Sequence, residues 1–521
     1  MGKEYSKNKQ LVINTAASII SQIISLGISF ILSPFIVGKL GTDAYGFIAL
    51  SNNFVSYVTI ITIALNSMAS RFITIKIHEG DYEKASKYYN SVVFSNLIIS
   101  LALLVPSVLC IIYLERIMDI PKHLIFDVKI LFFLSFLSFY ISLVFSVFST
   151  TYFVKNKLYI QSKINVESNF IRVAVLLILF LLFKPTLSYM GVAGVVLVVY
   201  KAVYDIYYKS KLLPEIKISR KFFDFSAIKE LLAAGSWNVI NKISSMLATE
   251  FDLLITITFI GATAMGQISL SKVIPAQMLM LFALIAANFA PNFTEYYAKK
   301  EFEALKKELL FSIKTLGFMA TIPIAILYSL GRQFFSLWIP GEDAMLLHIL
   351  SILTCLAFPF SMPIESLWNI FTITNKVKVS SIYLVINSVI SIIVTLIVLN
   401  LTDDIVVRMM AIVGISSILS VIRALFFLPI YGGKCINIGP KVFYKPMFIN
   451  VVALAVITAV GLLIGKIFLI DSWMKLILAA ITLGIIGLLV NYLILFSKED
   501  KIRAKDIFFT KVLKRRRVNA E

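Results

Sequence analysis

Apolar residues run along this chain in stretches of about twenty or more, each ended by a short polar break. The stretches fall at about 11–37, 45–69, 89–114, 125–150, 165–186, 188–208, 229–258, 266–292, 308–331, 344–372, 378–401, 405–430, 447–469 and 474–496. At 1.5 Å per helical residue each can cross a hydrocarbon core ~30 Å thick. The pattern predicts an all-α polytopic membrane protein with about 14 transmembrane helices.

The same pattern is written twice. "LGTDAYGFIALS" (40–51) returns as "IGATAMGQISLS" (260–271), so that Gly41, Ala44, Gly46, Ile48, Leu50 and Ser51 match Gly261, Ala264, Gly266, Ile268, Leu270 and Ser271. "GDYEKASKYY" (80–89) precedes "KEFEALKKEL" (300–309) by 220 residues, and "NKLYIQSKINVESNFI" (156–171) precedes "NKVKVSSIYLVINSVI" (375–390) by 219. Six segments separate the copies, so both halves start on the same side of the membrane. That makes a parallel repeat, whose halves can rock against each other in alternating access. The expected organisation is a lobe of helices 1–6 (1–215), a lobe of helices 7–12 (216–445), a C-terminal helix pair (446–497) and a basic tail (498–521). Each lobe needs its own tight first hairpin, with glycine supplying the turn and close helix approach.

Composition agrees: 59% of the 521 residues are hydrophobic and 15% charged. The net charge of +20 raises the question of nucleic acid, and its distribution answers it. With both termini cytoplasmic, about 34 of the 49 Lys and Arg fall on the inner side, about seven in outer loops and about eight within segments. The excess is a topology signal, aided by anionic lipids of the inner leaflet. No nucleic-acid partner is expected. Cys110, Cys355 and Cys435 have no metal-ligand spacing.

Enzyme signatures are missing. There is no phosphate-binding loop, since "GLLIGKI" (461–467) has the wrong spacing, and no H-E-x-x-H. His78, His123 and His348 stand far apart near membrane boundaries, where solvated surface is the ordinary state. No enzymatic activity, cofactor or metal is expected.

Polar residues inside the segments carry the candidate chemistry. Asn14, Ser18, Gln22, Ser25, Ser29 and Ser33 recur at helical spacing on the first segment; Asn238, Lys242, Ser245, Thr249 and Asp252 do so on the seventh. Gln22 and Lys242 are repeat partners, as are Asn52 and Lys272. Lys242 lies about ten residues inside its segment, ~15 Å deep. A charge there costs at least ~2.5 kcal/mol unless it meets water or a partner. Two readings stay open: a cation lining an anion-accepting cavity, or a structural ion pair, with Glu365 as the candidate partner. Glu365 follows Pro359 and Pro363 in "FPFSMPIESLW", an expected helix kink, and could instead hold an ion. Arg71, at the inner end of the second helix, could meet an incoming headgroup. Glu250 and Asp252 lie near the outer end of the seventh segment, where solvation alone would explain them. Arg172, Lys201, Lys314 and Arg423 fall near the inner edge, within reach of the interface by snorkelling.

On "PFIVGKLGTDAYGFIAL" (34–50), "ITFIGATAMGQISLS" (257–271), "HEGDYEKASKYYN" (78–90), the "NK" turns and the 6+6+2 helix count, the chain resembles the Wzx-type polysaccharide flippases of the multidrug/oligosaccharidyl-lipid/polysaccharide exporter superfamily. The resemblance implies passage of an undecaprenyl-diphosphate-linked oligosaccharide across a bacterial cytoplasmic membrane. It also implies company with membrane lipids, a polysaccharide polymerase and a chain-length regulator. The substrate-facing residues would then be Lys242, Lys272, Arg71, Gln22, Asn52 and Asn238, with Glu365 and Asp252 as ion or salt-bridge sites. A cationic cavity suits an anionic head that hydrocarbon would exclude. Three alternatives remain: a lipid II flippase, a multidrug antiporter of the same superfamily, and a non-transporting scaffold for glycan assembly. The first lobe's opening helix lacks the carboxylate expected of the second of these.

Overall fold

The computed structural model describes residues 2–496, and it is helical, with no strand among the described residues. The basic tail expected at 498–521 lies outside them. Thirteen described helices are long and apolar enough to cross a membrane, and the chain is a multi-pass membrane protein. Large apolar side chains such as Leu181, Leu182, Leu401 and Leu469 are exposed, as a lipid-facing belt requires.

Packing divides the chain into two compact units, one comprising Met1–Ser269 with Ser381–Val389, the other Leu270–Ser380 with the residues from Ile390 onward. The first holds α1 (Gly2–Leu40), α2 (Thr42–His78), α3 (Tyr82–Ile112), the one-turn α4 (Leu114–Ile117), α5 (Ile125–Phe145), the short α6 (Thr150–Val154), α7 (Leu158–Leu182) and α8 (Ser188–Leu212). It also holds α9 (Phe225–Thr249), α10 (Phe251–Phe259) and most of α11 (Ala262–Ser271). The seventh expected segment, α9 with α10, is the one of the fourteen that is not among the thirteen spans. Its polar residues and a break at Glu250 set it apart.

The second unit holds α12 (Val273–Ala287), α13 (Ala290–Ala298), α14 (Phe302–Trp338), α15 (Ala344–Thr354), α16 (Phe358–Ser361) and α17 (Leu367–Ile373). It continues with α18 (Val377–Leu401, less its stretch 381–389), α19 (Ile405–Ile422), α20 (Leu428–Cys435), α21 (Lys441–Ile467) and α22 (Trp473–Ile494). The expected kink at Pro359 and Pro363 is a full interruption into α15, α16 and α17. The long α14 is the most buried of the candidate spans and packs against α15, α21 and α22. His348, expected on a solvated boundary, is buried against it, with Nε2 2.9 Å from the Leu327 carbonyl. Gly331 makes room for the imidazole, since a Cβ there would lie 2.4 Å from the ring.

The sequence repeat reappears as backbone conformation. Gly41 (φ +88°) and Gly261 (φ +132°) both open a helix, at matched positions. Gly80 (φ +80°) is matched by Lys300 (φ +60°), and Asn156 (φ +53°) by Asn375 (φ +54°). The closing hydrogen bonds match as well. Asp81 N–H donates to the Lys76 carbonyl and Glu301 N–H to the Tyr296 carbonyl, both at 2.9 Å. Lys157 N–H reaches the Tyr152 carbonyl at 2.7 Å and Lys376 N–H the Phe371 carbonyl at 2.8 Å. These six-to-one bonds around a left-handed residue terminate helices by satisfying their orphan carbonyls. A duplicated sequence thus produces duplicated helix ends.

Within the first unit the two glycine turns also meet. A Cβ on Gly266 would fall 2.2 Å from the Thr42 carbonyl oxygen, and one on Gly46 2.9 Å from the Gly266 nitrogen. The copies need glycine because the start of α2 touches α11 backbone to backbone. Farther along, α2 crosses α9 where a Cβ on Gly235 would lie 1.9 Å from the Ala64 oxygen. Below that crossing, Leu65, Ala69, Ile73, Tyr88 and Tyr89 close around Ala227, Ile228 and Leu231. Small residues that let helices approach are what dispersion-driven packing in lipid selects.

Candidate functional site

The polar face of α1 is a helix–helix seam. Asn14 donates to the carbonyl (3.1 Å) and to Oδ1 (2.9 Å) of Asn156, and its own Oδ1 accepts from Tyr159 N–H at 3.1 Å. It thereby clasps the left-handed turn ahead of α7. Ser18 meets Ser162 at 3.3 Å, and Asn169 donates to Ser25 Oγ at 3.2 Å. Gln22, between them, is half-buried. The equivalent face of α9 is seamed in the same way to the stretch 381–389. Ser381 Oγ donates to Asn241 Oδ1 at 2.7 Å, and Ser388 Oγ to the Ser244 carbonyl at 3.2 Å. The side chain of Ser245 lies outside what the structure describes.

Lys242 lies about midway along the α9–α10 rod, and its Nζ is 2.8 Å from Glu250 Oε1. The two side chains are 22% and 18% exposed. Eight residues of straight helix span ~12 Å; the long lysine arm and the break after Thr249 close that distance. The break also frees the Glu250 carbonyl oxygen, which accepts from Asn53 Nδ2 at 2.7 Å and from Tyr57 Oη at 2.9 Å, both on α2. Glu250 Oε2 is buried and has no hydrogen-bond partner among the described residues. Asp252 is buried nearby, and both carboxylates act electrostatically on Tyr57. The ion-pair partner of Lys242 is therefore Glu250, which its place near the segment end had made look like solvated surface. The signal was present in the sequence as an acid eight residues after the lysine; Asn53 and Tyr57 gave none.

Of the other expected site residues, Asn238 joins the same α2–α9 crossing through a 2.9 Å bond to Ser67 Oγ. Arg71, farther along α2, is exposed. Asn52 is exposed and faces a different space, a chamber lined by α2, α5, α7 and α8. Lys272 caps α12, at the break between α11 and α12. Glu365 sits in the interrupted stretch between α16 and α17, close enough to feel the charge of Arg423, which opens a π-helical turn (Arg423–Phe427). Interrupted helices inside a membrane and π turns are both habitual locations of functional sites.

Two cations expected to snorkel do not. Helix α7 starts at Leu158, seven residues before the expected boundary, so Arg172 is ~21 Å from its start and lines the chamber that Asn52 faces. Lys201 lines an adjoining cavity with Asp205. The polar but helical "LYIQSKINVES" run hid that start.

No protein-family model matches the chain. The chain is 27% identical over 501 residues to the uncharacterized membrane protein EpsK of Bacillus subtilis strain 168, covering 94% of this chain and 97% of that protein. Its fold is similar to that of the lipid II flippase MurJ in an inward closed conformation. That match has a TM-score of 0.65 at 16% identity and covers 96% of this chain and 100% of the other. It is similar also to an inward-facing multidrug resistance MATE family transporter of the MOP superfamily, with a TM-score of 0.66 at 14% identity, covering 82% and 99%. The outward-facing form of a MATE transporter aligns with a TM-score of 0.58 at 17% identity, covering 82% and 96%. The chain has the MATE/MurJ-like fold.

Proposed function

We propose that this protein is a flippase that carries an undecaprenyl-diphosphate-linked oligosaccharide across a bacterial cytoplasmic membrane by alternating access, with both termini in the cytoplasm. The observation that carries the reading is the fold match to a lipid II flippase along the whole of that protein and 96% of this one. The inward-facing multidrug transporter covers 82% of this chain, against 96% for the lipid II flippase. The fuller match favours a lipid-borne cargo over a small soluble drug.

The charges support the same reading. Lys242 stands halfway along the α9–α10 rod, paired with Glu250 and partly exposed, so its ammonium can also reach an incoming phosphate. Lys272 sits at a helix break, at the N-terminal end of α12, where the helix dipole favours an anion. The sugar and diphosphate travel hydrated while the polyprenyl tail stays in lipid. An inside-negative potential aids an outbound anion by ~2.3 kcal/mol per charge per 100 mV. No bond is made or broken, so the protein works without enzymatic chemistry or a cofactor. A polymerase and a chain-length regulator would take the product on the far side.

Depleting the protein in cells that make such a glycan tests the reading against the lipid II alternative. Lipid-linked oligosaccharide should accumulate in the inner leaflet while cell-wall synthesis proceeds. Arrested wall synthesis with accumulated lipid II would assign the chain to the alternative cargo.

A further inference from the structure

The first unit contains two adjoining polar cavities that the flippase reading does not use. The larger, about 490 Å³, is lined by Ser56 and Thr59 of α2, Ser135 and Ser138 of α5, and Arg172 of α7. The smaller, about 240 Å³, is lined by Asn165, Lys201 and Asp205, and shares Ser142, Leu197 and Val198 with the first. Asp205 is already engaged: Tyr152 Oη donates to its Oδ1 at 2.8 Å, and Lys201 attracts it. Among the described residues Arg172 has no such carboxylate. It feels Lys201 as a like charge, and its buried Nε has no hydrogen-bond partner among the described residues. Ser138 Oγ, also buried and on the same cavity wall, has none either.

A guanidinium this deep in a membrane protein is costly to leave unmatched, and native interiors satisfy nearly all buried donors. The lining offers two cations against one carboxylate, together with hydroxyl donors and little aromatic surface. That set lacks only an acceptor that is anionic and has several oxygens. Arg with serine hydroxyls is the combination that reads planar or tetrahedral oxyanions through paired N–H donors.

We propose that the chamber is an oxyanion site, in which Arg172 and Ser138 bind a phosphate or diphosphate group. The group is held inside the first unit by charge-assisted bonds to the guanidinium, with Lys201 adding field and Asp205 limiting the net charge of the site to one positive. Two sources share this chemistry, free inorganic phosphate or diphosphate and the diphosphate of a polyprenyl lipid.

The test is calorimetric titration of the full-length protein in nanodiscs with inorganic diphosphate, for wild type, Arg172→Gln, Arg172→Lys and a charge control, Arg408→Gln, whose guanidinium pairs with Asp403 in the second unit. Saturable binding should weaken at least tenfold in Arg172→Gln, recover in part in Arg172→Lys, and match wild type in Arg408→Gln. Thermal unfolding of each variant guards against misfolding, and the Lys variant keeps the question answerable if the Gln variant fails to fold. Repeating the titration with undecaprenyl diphosphate already in the discs separates the sources: competition marks the lipid headgroup, and independence marks a soluble anion. No saturable binding by wild type, or equal affinity in Arg172→Gln, overturns the proposal.

Discussion

Replacing Lys242 separates a substrate-binding lysine from a merely structural one, because its partner can be removed as well. At 2.8 Å and an effective dielectric of about 20, the Lys242–Glu250 attraction is ~6 kcal/mol before desolvation is subtracted. Removing one member of a fully buried pair costs about 3–5 kcal/mol, chiefly because the other charge is stranded. Here the carboxylate would be stranded with Oε2 already unpartnered, but both side chains keep about a fifth of their exposure. The expected cost of Lys242→Ala is therefore about 2 kcal/mol. Adding Glu250→Gln removes the stranded charge and should return most of that stability, while the Glu250 carbonyl keeps its bonds to Asn53 and Tyr57. The assay is thermal unfolding in detergent alongside lipid-linked sugar flux in vesicles, across the full double-mutant cycle. The lysine as ligand predicts that the double variant regains stability and stays inactive. If flux returns with stability, Lys242 serves the fold alone, and the substrate role assigned to it is wrong.

Gly266→Val should destabilise by about 1–3 kcal/mol, since its side chain would meet the Thr42 backbone, which cannot rotate away. Gly484→Ala, on a stretch of α22 with nothing within 4 Å, should gain up to about 1 kcal/mol from helix propensity, and thermal unfolding of the pair reads both signs. Asn14→Ala should cost about 1–2 kcal/mol, because the Asn156 turn and the Tyr159 N–H lose their clasp; hydrogen exchange at the start of α7 should rise with it. Unchanged exchange there would mean that the clasp does not hold the turn.

The duplication was legible because turns need particular residues. Gly41 and Gly261, or Asn156 and Asn375, sit where the left-handed backbone region admits few side chains, so the chemistry of a turn survives in its letters. The helix count was legible for a related reason, since lipid imposes a minimum apolar length. Pair partners were not. Lys242 and Glu250 meet only because α9 breaks at residue 250, and no apolar run marks a break inside a helix. Arg172 was misplaced because α7 begins in polar residues that hydropathy assigns to a loop, although they are helical and face other polar side chains. The serines of α1 had the spacing of a cavity lining and proved to be a seam, since spacing fixes a face and leaves open what covers it.

Vesicles containing the purified protein, loaded on one leaflet with undecaprenyl-diphosphate-linked oligosaccharide, give the most direct measurement. A sugar-cleaving enzyme outside reports how much glycan has crossed. Faster crossing than in protein-free vesicles, sensitive to the Lys242→Ala/Glu250→Gln change, is what a flippase with a cationic binding site requires. Crossing at the protein-free rate by correctly inserted wild-type protein would contradict it and leave a scaffold with a transporter's fold.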